Sequence, residues 1–169
     1  MTTQHIGAAG ELLVQYQLLK LDVDSARLTT DSGIDLVIYS PLNIRATSVQ
    51  AKTARTPGPS GGRGRDAVGW NFLHETKAEL LALVLLSTDT VWLRTLDKAQ
   101  QLAQQHTTGG IRKIYWYTDE TIMQRKGCHE YRATWIHTNS KREQRLSSST
   151  RQKVFSSPPA APWISIWLG

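Results

Sequence analysis

The sequence predicts an α/β (α+β) fold in which a mixed central sheet is flanked by helices. Three patterns indicate this: a helical apolar repeat near the N-terminus, two strand-like runs joined by a short turn, and a second strand-like pair further along.

With 169 residues, of which 40% are hydrophobic, the chain is long enough for one domain with its own core. We expect that domain at residues 1–138. Residues 139–169 are rich in Ser, Arg and Pro, which predicts a flexible tail with an apolar end, WISIWLG.

The first helix is predicted over residues 7–20. Its apolar positions recur at spacings of three and four, which is typical of an amphipathic helix; they are Ala9, Leu12, Leu13, Tyr16 and Leu19. Glu11 falls on a different side of this helix, near the N-terminal end, where a carboxylate also suits the helix dipole.

The next elements are a short strand at residues 26–30 and a hairpin of two strands, residues 34–39 and 46–53. Residues 54–69 contain many Gly and Pro and three arginines, so they are predicted to form a mobile basic loop.

Later elements are predicted from short apolar runs and turn residues. They are a helix at residues 75–80, strands at 81–86 and 90–96, a helix capped by Asp97 and running to about residue 105, a strand at 111–118 and a last strand at 129–137. Three tryptophans, Trp70, Trp92 and Trp116, are expected to pack in the core.

Polar side chains converge at one end of the predicted hairpin. Residues two apart on a strand share a face, so Gln50 and Lys52 point the same way and Ala51 points to the other layer. If the hairpin turns around Asn43, Asp35 lies across from roughly Ala51. With Glu11 from the helix, the set suits metal-assisted phosphodiester hydrolysis, since carboxylate and amide oxygens bind Mg²⁺.

This set resembles the active site of the PD-(D/E)XK nuclease superfamily, within an α-β-β-β-α-β order over residues 7–97. The resemblance implies a restriction-endonuclease-like core with Mg²⁺, or Mn²⁺ as its substitute, held by Asp35, Glu11 and Gln50. It also implies that Lys52 is the catalytic lysine. The sequence departs from the family at Ile34, where many members have proline, and at Gln50, where the family name has Asp or Glu.

The function implied is a Mg²⁺-dependent, site-specific DNA endonuclease of the homing or restriction type, a phosphodiester hydrolase. Cutting both strands of double-stranded DNA usually takes two active sites, so we expect a homodimer or homotetramer. Two alternatives stay open: a DNA-binding or junction-binding module that keeps the fold without turnover, and an assembly protein that uses WISIWLG for contacts.

The charge pattern agrees with a polyanionic partner. The formal net charge is +6, of which residues 140–169 carry +4. Within the loop that follows Lys52, Arg55, Arg63 and Arg65 are predicted to contact DNA; the alternative is a solvated linker.

Each candidate residue also has a plain structural interpretation. Glu11 is then an ordinary helix residue, Asp35 caps the turn after Gly33, and Gln50 with Lys52 forms the wet face of an edge strand. One cysteine and five dispersed histidines argue against a zinc site. We expect a cytoplasmic protein with no membrane segment, because the sequence shows neither a signal peptide nor a long apolar run.

Overall fold

The computed structural model describes residues 1–30, 32–40, 43–59 and 64–118. This part of the chain confirms an α+β fold with a mixed sheet. Its elements are α1 (Thr3–Leu19), β1 (Asp24–Arg27), β2 (Leu36–Ser40), β3 (Asn43–Ala54), β4 (Gly58–Pro59), β5 (Asp66–Leu73), β6 (Leu80–Leu85), a 3-10 turn (Leu86–Thr88), β7 (Thr90–Thr95), α2 (Leu96–Leu102), β8 (Gln105–His106) and β9 (Ile111–Tyr117).

The first sheet has the strand order β1-β2-β3-β6-β7. All its neighbours are antiparallel except β3 and β6, which run parallel and pair from Val49 with Leu80 to Ala54 with Leu85. The predicted hairpin, β2 with β3, and the later strand pair, β6 with β7, are both present. Strand β3 is the middle strand of this sheet: within the described residues it pairs with β2 up to Val49 and with β6 from Val49 to Ala54.

The second sheet has the order β4-β5-β9-β8, and its pairs are all antiparallel. Strand β5 was missed by the sequence analysis, which placed residues 54–69 in a loop. Its buried residues alternate as Val68, Trp70 and Phe72, the period of a strand with one buried face. The prediction was wrong because the Gly and Pro content ahead of β5 outweighed that short alternation.

The core consists of two apolar layers, one on each face of the first sheet. Between the two sheets, Trp70, Trp92 and Trp116 meet edge to face with centroid separations of 4.7–5.6 Å, which confirms their predicted place in the core. On the other face, α1 covers the first sheet. The buried residues of this second layer are Val14, Leu18, Leu36, Val49, Ala82, Val84 and Val91.

Helix α1 forms as predicted, but it buries a different side. Leu12, Tyr16 and Leu19 remain 54–57% exposed, whereas Gly10, Val14 and Leu18 are buried against the sheet. Close approach explains the choice: a Cβ atom added at Gly10 would lie 1.8 Å from Thr53 Oγ1 on β3. Because Gly10 has no side chain, the helix backbone can pack directly against the sheet at this position.

The helix predicted at residues 75–80 is wrong, because long-range contacts hold this segment in turns ahead of β6. The Glu79 backbone N–H donates to Ser48 O at 3.1 Å, and Glu79 O accepts from Leu96 N–H at 3.0 Å. Its carboxylate also pairs with Arg45. Helix α2 starts two residues earlier than predicted, since the Thr95 side chain, rather than Asp97, caps it by accepting from Lys98 N–H.

Several predictions fall outside the described residues: the strand at residues 129–137, the boundary between residues 138 and 139, and the tail. None of the helices in the described ranges is long and apolar enough to span a bilayer.

Candidate active site

The central strand β3 presents Gln50 and Lys52 on the face that looks toward the second sheet. Gln50 pairs with Leu81 and Lys52 with Leu83, and both leucines belong to the layer between the sheets. Ala51 packs instead into the layer beneath α1. The predicted division of faces is therefore confirmed, and Gln50 is buried rather than on a solvent-exposed face.

Asp35 lies directly before β2 and is fastened to β3 by main chain and side chain. Its backbone N–H donates to Val49 O at 2.9 Å, and its Oδ2 accepts from the Ala51 N–H at 2.7 Å. A charge-assisted bond of this length holds the carboxylate firmly against the strand. The Asp35 carboxylate therefore lies between the strand positions of Gln50 and Lys52. Leu36 pairs with Val49, so the backbone register continued by one residue sets Asp35 across from Gln50, one residue from the predicted Ala51.

Gln50 is 7% exposed, and only one of its two side-chain polar atoms has a hydrogen-bond partner among the described residues. Its Nε2 donates to Gly33 O at 3.0 Å, and the Thr76 hydroxyl points to the same carbonyl at 3.5 Å. Its Oε1 is buried and, among the described residues, has no hydrogen-bond partner. A buried acceptor left unpaired costs about 1–3 kcal/mol, so this oxygen is suited to a donor or cation from outside the chain.

Lys52 lies one strand position beyond Ala51, partly shielded by neighbouring residues. Within the described ranges, the ion pairs involve Arg27 with Glu11 and Arg45 with Glu79, and none includes the Lys52 ammonium. A lysine held on a central strand without an acidic partner keeps its charge available for a ligand.

Glu11 is placed differently from the other three candidates. Arg27 on β1 donates to Glu11 Oε2 through Nε at 2.8 Å and Nη2 at 2.6 Å. Arg27 pairs across the sheet with Leu36, whose side chain lies beneath α1. Glu11 is thus on the helix-covered side of the sheet, and its partner Arg27 pairs with Leu36, the residue that follows Asp35.

The structure therefore brings Asp35, Gln50 and Lys52 together and ties Glu11 to Arg27. In the part of the chain that the structure describes, no three His, Cys, Asp or Glu side chains are grouped to hold a metal ion. The donors present at the site, a carboxylate and a buried amide oxygen without a partner, are nevertheless of the kind that Mg²⁺ takes alongside water and phosphate.

The predicted DNA-binding arginines are placed only in part. Arg55 follows the end of β3 and Arg65 precedes β5, and both are exposed. Arg63 lies outside the described residues.

Two residues at the site were missed by the sequence analysis. Gly33 has φ +78°, a conformation that favours glycine, and its carbonyl receives the Gln50 amide. Arg94 on β7 is 9% exposed, shares its cross-strand row with Leu81 and Gln50, and donates to Leu93 O at 3.2 Å. Burial lowers the pKa of its guanidinium. The available signals were a Gly before an Asp at a strand start and an Arg within an apolar strand.

Comparison with known proteins gives similarity to solved structures and none to known sequences. No protein-family model and no curated protein sequence matches the chain. A solved structure of a bacterial homing endonuclease, I-Ssp6803I, is similar with a TM-score of 0.48 and 11% sequence identity, over 77% of this chain and 99% of that chain.

Proposed function

We propose that the protein is a Mg²⁺-dependent DNA endonuclease of the homing or restriction type. The observation that carries this proposal is the 2.7 Å bond from the Ala51 N–H to Asp35 Oδ2. It fixes a carboxylate between the positions of Gln50 and Lys52 on a central strand. Among the described residues, the Gln50 amide oxygen has no hydrogen-bond partner and the Lys52 ammonium is in no ion pair. These two groups on β3, with a carboxylate bonded to the same strand, suit hydrolysis of a phosphodiester.

The proposed ligands of the metal are Asp35, Gln50 and Glu11, with Mn²⁺ as a substitute. When bound, Mg²⁺ polarises a phosphate and lowers the pKa of a coordinated water. Asp35 supplies the charge of the site, and Gln50 Oε1 supplies a neutral oxygen that is already desolvated. Glu11 keeps its second oxygen, Oε1, since both bonds from Arg27 go to Oε2.

The role proposed for Lys52 follows from its charge and its place beside Asp35. Its ammonium can donate to a water molecule or to a phosphate oxygen, and so orient the nucleophile or stabilise negative charge on the phosphorus centre. The surrounding strand is held on both sides, which reduces the reorganisation needed when substrate binds.

Double-stranded DNA is the proposed substrate, and a homodimer or homotetramer is the proposed assembly. The net charge of +6 supports a polyanionic partner. Arg55, Arg63 and Arg65 follow β3 closely in sequence and are proposed to contact phosphates beside the cut.

Replacing Lys52 by Ala is expected to remove cutting and to leave DNA binding in place, because the ammonium acts on the reacting atoms rather than on affinity. Wild type, Lys52→Ala and the exposed-lysine control Lys98→Ala are incubated with fragmented genomic DNA and Mg²⁺, and every new end is sequenced. Ends that recur at one motif in wild type and Lys98→Ala, and vanish in Lys52→Ala, are expected. Equal end patterns in wild type and Lys52→Ala would exclude this mechanism.

The proposed role of Glu11 as a metal ligand can be separated from its ion pair with Arg27. Glu11→Gln and Arg27→Gln each break the same partly exposed ion pair, so each is expected to lower the free energy of unfolding by about 1 kcal/mol or less. Only Glu11→Gln is expected to raise the Mg²⁺ concentration needed for half-maximal cutting, since only it removes a proposed ligand. Equal Mg²⁺ dependence in the two variants would show that Glu11 is merely the partner of Arg27.

A second candidate is a DNA-binding or junction-binding module without turnover. It is favoured by Gln50, an amide where an acidic ligand would hold the metal more tightly. This alternative predicts tight, salt-dependent binding of DNA by wild type and no Mg²⁺-dependent ends.

A further inference from the structure

The outer face of the second sheet is built from alternate residues of β5, β8 and β9. The buried partners Val68, Trp70, Phe72, Ile114 and Trp116 face the first sheet. The intervening residues therefore face outward, paired in register as Ala67 with Tyr117, Gly69 with Tyr115, Asn71 with Lys113 and Leu73 with Ile111. Gln105 on β8 pairs with Lys113 from the other side.

Hydrogen-bonding groups lie across the middle of this face. Gln105, Lys113 and Asn71 form one cross-strand row, and Asn71 and Gln105 are exposed. Directly opposite side chains in an antiparallel pair have Cβ atoms about 5 Å apart, so the three act on one small area. The outward residues of β5, β8 and β9 include no carboxylate. Such a surface, which carries donors and one ammonium without negative charge, is complementary to nucleic acid.

Gly69 leaves its position on this outer face without a side chain. A Cβ atom added there would lie 3.1 Å from Lys113 Cε and 3.3 Å from Tyr115 Cβ. Without that atom, the Lys113 stem and Tyr115 can pack close over the β5 backbone at Gly69.

The packing of Tyr115 and Tyr117 indicates that duplex DNA, rather than single-stranded DNA, is the partner of this face. Tyr115 and Tyr117 meet each other edge to face at 5.8 Å and are both partly buried. Stacking of unpaired bases needs open ring faces, and rings engaged in this way do not offer successive platforms. Antiparallel strands, in contrast, are used by β-ribbon and β-sheet proteins to present side chains to base edges in a groove of B-DNA, where amide and ammonium groups can read them. The row of Asn71, Lys113 and Gln105 spans the three strands β5, β9 and β8.

We propose that the β5–β9 ribbon enters the major groove of duplex DNA and that Asn71, Lys113 and Gln105 contact base edges. This rests on the proposed function, since it names the surface that selects the cutting site. The three residues lie in one row across neighbouring strands, which are about 4.8 Å apart, so they can contact adjacent base pairs. Amide side chains suit adenine, and lysine suits the acceptors of guanine. The Trp70 indole N–H bonds Val84 O at 2.9 Å, which fixes the ribbon to the sheet that carries Lys52.

The experiment omits Mg²⁺, so it reads binding and not cutting. Wild type, Asn71→Ala, Lys113→Met and the control Lys98→Met are each used to select duplexes from a random pool in EDTA, and affinity for the wild-type motif is then measured. Asn71→Ala and Lys113→Met are expected to lose about fivefold or more in affinity for that motif and to relax the preference at one or two adjacent base pairs. The control is expected to select the wild-type motif. Thermal melts establish that all four chains are folded.

The proposal is overturned if Asn71→Ala and Lys113→Met select the wild-type motif with wild-type affinity. It is equally overturned if they lose affinity to the same degree on every duplex, which would indicate phosphate contacts alone, or if wild type selects no motif. Failure of the nuclease proposal is distinguishable. If wild type selects a motif through Asn71 and Lys113 but gives no Mg²⁺-dependent ends, the role of this face is supported and the nuclease proposal is rejected. If the protein cuts at one motif and these variants cut as wild type does, the nuclease proposal is supported and the role of this face is rejected.

Discussion

Asp35→Asn is expected to lower the rate of Mg²⁺-dependent cutting about a hundredfold or more, because a bound metal contributes several kcal/mol to the transition state and each ~1.4 kcal/mol is tenfold. The asparagine Oδ1 can still accept the Ala51 N–H bond that Oδ2 accepts at 2.7 Å in the wild-type chain. The fold should therefore survive while the charge of the metal site is lost. The cutting rate on the wild-type motif is measured against Mg²⁺ concentration, together with urea unfolding.

Two comparisons separate charge from structure at Asp35. Asp97→Asn removes the same charge from an exposed position in the first turn of α2, and it is expected to cut like wild type. Asp35→Ala removes both the charge and the bond to Ala51, so it is expected to be less stable than Asp35→Asn by about 1–3 kcal/mol. Cutting by Asp35→Asn at the wild-type rate would remove Asp35 from the mechanism.

Gly10→Ala is expected to lower the free energy of unfolding by up to about 2 kcal/mol. Its methyl group would lie 1.8 Å from Thr53 Oγ1 and 2.8 Å from Thr53 Cβ, so α1 and β3 would have to move apart. Overpacking of this kind typically costs about 1–3 kcal/mol, and it acts against the better helix propensity of alanine, worth about 1 kcal/mol. Urea unfolding measures the change.

Gly7→Ala is the matched control for Gly10→Ala. It lies one turn earlier on α1, and nothing is within 4 Å of its added Cβ, so it is expected to stabilise the chain slightly. The double variant Gly10→Ala with Thr53→Gly should recover part of the loss, since the clashing side chain is gone. If Gly10→Ala were as stable as Gly7→Ala, the close approach of helix and strand would be disproved.

The contact between Gly10 and Thr53 also concerns the candidate site. Thr53 follows Lys52 directly on β3, and the two side chains lie on opposite faces of the same strand. A shift of β3 away from α1 would therefore move Ala51 and Lys52 together and strain the bond between the Ala51 N–H and the Asp35 carboxylate. We expect Gly10→Ala to cut more slowly at temperatures where it is still folded.

The sequence by itself determined the strands around the site and the relation among three of its residues. The β-branched and aromatic residues of β2 and β3, with a turn between them, have a strong strand propensity. The alternation of side chains then places Gln50 and Lys52 on one face, and the hairpin brings Asp35 beside this part of β3 to within about one residue; the register shift between Tyr39 and Ser40 decides the final pairing. These are local relations, set by periods of two and by chain connectivity, so they could be predicted without the fold.

Only the tertiary structure decided which apolar surfaces are buried and which charges are paired. The helix-forming residues 75–80 become a turn because Glu79 bonds Ser48 and Arg45, far away in sequence. Helix α1 has apolar residues on two sides, and the side with Gly10 packs inward because it allows close contact with Thr53. Glu11 is held by Arg27 for the same reason: α1 lies over β1 in this arrangement. Such choices depend on the free energy of many long-range contacts together, and no local pattern carries that information.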